Sequence, residues 1–85
     1  MFKVSDFKPC NKPWGPYRRV IAEMPILDTP AIIMLFREND NGQLSISVHG
    51  PDKRMLVKLG CYYVDGNAAN QQKALDSIYN TLMWG

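Results

Sequence analysis

Residues 31–49, AIIMLFRENDNGQLSISVH, carry two strand-like runs on either side of an Asn-Gly step. This stretch limits the fold more than any other part of the sequence. Asn41 and Gly42 tolerate the positive φ angles of a tight primed turn, so the two runs are expected to fold back as an antiparallel hairpin. AIIMLFR (31–37) is apolar on both alternating faces, as a central strand is. LSISVH (44–49) alternates, with Leu44, Ile46 and Val48 on one side and Ser45, Ser47 and His49 on the other.

Two further runs extend the sheet. YRRVIAEM (17–24) reads as a strand of mixed pattern ended by Pro25, and PILDTP (25–30) as a proline-bracketed loop. Gly50-Pro51-Asp52 turns the chain into MLVKLGCYYV (55–64). There Met55, Val57, Leu59, Cys61 and Tyr63 make the apolar face, and Leu56, Lys58, Gly60, Tyr62 and Val64 point the other way. Asn67 is suited to cap a helix. Beyond it Ala68, Leu75, Ile78, Tyr79, Leu82 and Met83 share one helical stripe.

The expected fold is α+β: an antiparallel three- to four-stranded sheet (17–64) with one C-terminal helix (67–83) packed on one face. Residues 1–16 are expected to form an irregular Pro-rich arm, because Pro9, Pro13 and Pro16 each remove a backbone donor. Eighty-five residues suffice for a single domain, 1–85. The helix needs the Leu44/Ile46/Val48 and Met55/Val57/Leu59 rows beneath it. Ile32, Met34 and Phe36 are then left on the uncovered side.

At 46% apolar and 21% charged residues, the chain is globular rather than disordered. Its net charge of +2 is too small to mark a nucleic-acid protein, but the charge is unevenly distributed along the chain. Residues 1–22 set Lys3, Lys8, Lys12, Arg18 and Arg19 against Asp6, whereas residues 23–52 set Arg37 against Glu23, Asp28, Glu38, Asp40 and Asp52. Cys10 and Cys61 lie far apart with no CxxC pairing, and the first residues lack an apolar signal region. No apolar run approaches the ~20 residues of a membrane span. A reduced, cytoplasmic protein with no membrane association is expected.

No catalytic or metal-binding signature is present. One histidine and two distant cysteines do not make a zinc site, and an EF-hand reading of RENDNGQ would place Arg37 at the first ligand position. GPDK lacks the glycine spacing of a phosphate loop. A Cys61–His49 dyad is rejected on an expected separation of roughly 20 Å, with the two side chains on opposite faces. No enzyme and no cofactor are expected.

What remains is surface. PCNKPWGPYRR (9–19) concentrates Trp14 and Tyr17 among Lys12, Arg18 and Arg19. Aromatic and arginine side chains dominate protein interfaces, and the uncovered sheet face would need a partner over it. The expected function is a small non-enzymatic protein-binding module, an accessory protein or inhibitor of a larger protein machine, including one encoded by a virus. Its partner is another protein or a second copy of itself. Trp14, Tyr17, Arg18 and Arg19 would carry the contact, together with Lys58 and Tyr62 on the sheet. Single-stranded nucleic-acid binding is the alternative, with the aromatic rings stacked on bases and the cations on phosphates. A third reading has the arm folded over the sheet with Trp14 filling a hole.

Overall fold

The computed structural model describes residues 1–52, 54–56 and 60–84. Five strands form one antiparallel sheet in chain order: β1 Lys8–Trp14, β2 Arg18–Pro25, β3 Ile32–Glu38, β4 Leu44–His49 and β5 Cys61–Val64. A 3-10 turn, Val4–Asp6, precedes them, and helix α1, Ala68–Trp84, follows. The antiparallel α+β architecture with one C-terminal helix is the one expected. Among the described residues no helix is long and apolar enough to cross a membrane.

The strand count exceeds the three or four expected, because the stretch read as an irregular arm contains β1. Pro9 lies opposite Ala22 and Pro13 opposite Arg19. A proline lacks the N–H that an interior strand needs on both sides, so it fits a sheet only at an edge or a bulge. β1 is an edge strand, and its register shifts between Pro9 and Lys12. The prolines therefore set where the strand sits without preventing it from forming.

A second register shift, between Val20 and Ala22, explains the mixed pattern of β2. The extra residue, Ile21, turns Val20 to one face while Ala22 and Met24 face the other. Ala22, Met24, Ile33, Leu35, Ile46, Val48 and Val64 meet Ala74, Leu75 and Ile78 of α1 in the main core. Full burial of Ile33, Ile46, Leu75 and Ile78 contributes about 1.5–3 kcal/mol per side chain. Asn67 caps α1 through its Oδ1, which accepts from Ala69 N at 2.8 Å.

The leading residues close the same side. Phe2, Val4 and Phe7 pack on the helix-side core, and the Phe2 ring meets Tyr79 edge-on at 5.6 Å. The Gln72 amide clasps this segment: its Oε1 accepts from Val4 N at 3.1 Å and its Nε2 donates to Phe2 O at 2.7 Å.

The reverse face, expected to be uncovered, is in part closed. Val20, Met34 and Phe36 are buried there, with Cys10, Trp14 and Ile32 packed against them. Ser45, Ser47 and His49 are buried on that face as well.

The β3–β4 hairpin forms at the expected place, but only Gly42 takes a positive φ, +70°, and the turn is longer than a two-residue primed one. β5 is also shorter than the expected 55–64 strand, and its facing is reversed. Tyr62 pairs with Ile46 and Val64 with Leu44 on the helix side, while Cys61 faces Ser47 and Tyr63 faces Ser45. Partners across an antiparallel pair share a face. A run that is apolar on both sides therefore takes its orientation from register, which the sequence did not supply. Val57 and Leu59, expected in the row beneath the helix, lie outside the described residues.

Candidate functional site

PCNKPWGPYRR folds as the end of the β1–β2 hairpin. Trp14 and Arg18 are paired, and Gly15, Pro16 and Tyr17 form the connection. Gly15 has φ +72°, a left-handed value that favours glycine over residues with a Cβ. The neighbouring β3–β4 loop pins this turn. Asn39 N donates to Tyr17 O at 2.8 Å and Asn39 Nδ2 to Pro16 O at 3.2 Å. The Tyr17 side chain nevertheless remains 77% exposed. The result is a solvent-facing aromatic ring on a backbone held by two hydrogen bonds from Asn39.

Alternation along β2 distributes the flanking residues. Trp14 and Arg18 lie on the reverse face. The indole meets Phe36 and His49 edge-on at 5.4 and 5.0 Å, and the Arg18 guanidinium lies 4.2 Å from the Phe36 ring centre. Trp14 is half-buried and bridges this cluster, so for this residue the packing role is the one observed. Arg19 lies on the helix-side face, directly opposite Arg37 of β3. Arg19 Nε donates to Asn11 Oδ1 at 2.6 Å.

Four of the expected contact residues, Trp14, Tyr17, Arg18 and Arg19, thus share one hairpin. Tyr62 does not join them. It sits three strands away on β5, expected on the reverse face but found on the helix side. There it lines a hollow of about 500 Å³ between β5 and α1, with Tyr63, Asp65, Lys73 and Ser77. Lys58 lies outside the described residues. Arg37 was read only as a charge within the acidic segment. Its position opposite Arg19 follows from the Val20–Ala22 bulge and the hairpin register, and neither could be counted from spacing alone.

Cys61 and His49 were expected on opposite faces, but the structure places them on the same one, two register positions apart. The register assumed from the turn at 50–54 holds only at the isolated His49–Met55 bridge. By β5 the ladder has shifted by four residues. His49 is 2% exposed, and its Nε2 lies 2.8 Å from Ser47 Oγ. Cys61 is exposed and forms no disulfide. The geometry there is that of a packed histidine beside a surface thiol, not of a nucleophile held by its base.

Two groups near β1 titrate away from their ordinary values. Burial, then the negative charge of Glu23, pushes the Cys10 thiol above its usual 9.0. The hydrogen bond and charge of Glu23 raise Lys12 above 10.5, at a distance of 2.9 Å. Among the described residues no group of three or more His, Cys, Asp or Glu side chains is placed to hold a metal ion. The chain matches no protein-family model, no curated protein and no solved structure.

Proposed function

We propose that this protein is a non-enzymatic binding module that docks another protein through the tip of the β1–β2 hairpin. It would act in the cytoplasm as an accessory protein or inhibitor of a larger machine. The observation that carries this reading is Tyr17, an exposed aromatic ring on a turn fixed by two hydrogen bonds from Asn39. An interface gains most from a large ring that loses little freedom on binding, because ordering a mobile side chain offsets the area it buries. Arg18 and Arg19 flank the ring, and arginine is the other side chain enriched at such centres. The groups gathered at the tip hold a partner; they do not transform one.

The test is a photo-crosslinking amino acid installed at position 17 in the source cell. A discrete protein adduct that disappears with Asn39→Ala, which frees the turn, supports the reading. Adducts to nucleic acid alone would replace it with the single-strand alternative, in which Tyr17 stacks on a base. Adducts only to a second copy of the chain would narrow the partner to self-association.

A further inference from the structure

The cross-strand pair Arg19–Arg37 is unusual for what it lacks. Like charges directly opposite each other in a sheet repel and destabilise it. Here Arg19 and Arg37 stand in direct backbone register on the helix-side face. Among the described residues no carboxylate lies within 4.0 Å of either; the ion pairs found are Lys12–Glu23 and Arg54–Asp52. Among the described residues the only hydrogen bond of either side chain is the one from Arg19 Nε to Asn11 Oδ1. With Nε occupied, the two terminal nitrogens of Arg19 are left as the fork that accepts a carboxylate end-on. Arg37 is exposed beside it.

We propose that this pair is the seat for an acidic segment of the protein partner, a carboxylate side chain being held between Arg19 and Arg37. The inference rests on the protein-docking reading and adds the partner's chemistry. The surroundings favour a short acidic segment over a nucleic-acid backbone. Asp40 lies in the loop that adjoins β3, and Asp65 follows Val64, whose partner Leu44 pairs with Arg37. A continuous polyanion crossing the pair would meet these carboxylates and be repelled, whereas one or two acidic side chains engage the pair alone.

The experiment uses a fluorescein-labelled ten-residue glycine-serine peptide with two adjacent central glutamates and a labelled ten-residue oligothymidylate, with binding read by anisotropy at low and physiological salt. The proteins are the wild type, Arg37→Gln, Arg37→Glu and the control Arg54→Gln, whose side chain is engaged by Asp52. The seat predicts that the two-glutamate peptide binds the wild type more tightly than the oligothymidylate does. Affinity should fall about tenfold in Arg37→Gln and below detection in Arg37→Glu, with Arg54→Gln unchanged. It also predicts that Arg37→Glu raises the thermal midpoint, because an attractive cross-strand pair replaces a repulsive one. Equal binding by Arg37→Gln and Arg54→Gln, tighter binding of the oligothymidylate, or a lowered midpoint for Arg37→Glu would overturn it. A protein adduct at position 17 together with any of these results rejects the acidic seat alone. Arg37-dependent glutamate binding without any protein adduct at position 17 rejects the docking reading instead.

Discussion

The two tryptophans have opposite fates. Trp14 bridges Phe36 and His49 across the reverse face, while Trp84 ends α1 with 86% of its surface exposed. Removing the first leaves a cavity over an aromatic cluster; removing the second leaves solvent. Trp14→Ala is therefore expected to cost about 2–4 kcal/mol, against less than about 0.5 kcal/mol for Trp84→Ala, both read from urea denaturation midpoints. Cys10 supplies a second prediction. Its thiol holds its proton to higher pH in the folded chain than in the unfolded one, so its contribution is complete below about 9.0. The contribution is lost as pH rises through the folded value. Stability should stay level up to that pH and then decline, and Cys10→Ala should flatten the first part of the decline. Lys12, raised above 10.5, acts in the same direction at still higher pH.

At the scale of elements, the two sheet edges differ in kind. β1 carries Pro9, Pro13 and a bulge, all of which interrupt the row of donors and acceptors that another strand would need. Restoring those donors with the double substitution Pro9→Val, Pro13→Val should keep the fold and promote self-association, visible as a rise in mass by light scattering. The helix depends on its cap: Asn67→Ala should cost about 1 kcal/mol, measurable by thermal melts. β3, β4, their hairpin and the Asn67 cap were all readable from alternation and turn chemistry, since each follows from a few neighbouring residues. β1 was hidden because prolines argue against a strand until its edge position is known. Trp14, Tyr17, Arg18 and Arg19 are neighbours in sequence and share the β1–β2 hairpin, yet their division between two faces depends on the bulge at Ile21. Tyr62 was misplaced for a related reason: the facing of β5 comes from its partner, and both of its own sides are apolar.

For the molecule as a whole, a second layer was legible but not its means of closure. The periodicity of α1 called for a sheet beneath it, and the sheet is there. Nothing in that periodicity announced Gln71 and Ala74 as buried members, or that residues 2–7 would complete the helix side while Trp14 and Arg18 sealed part of the other. Of the exposed aromatic rings Tyr17, Tyr63 and Trp84, Tyr17 is the one at the hairpin end, where the docking reading places the contact. An interface seated there would be small and dominated by a few side chains, so single substitutions at Tyr17 or Arg37 should reduce affinity by an order of magnitude or more.

The Gln72 clasp has a consequence for how the molecule is made. Val4 N and Phe2 O wait for a side chain about seventy positions downstream, and Phe2 waits equally for Tyr79. While the chain is still emerging from a ribosome, the sheet can pair strand by strand as each hairpin appears. Its inner side remains wet until the helix is free to arrive, so the lock at Gln72 closes well after the segment it holds has been made.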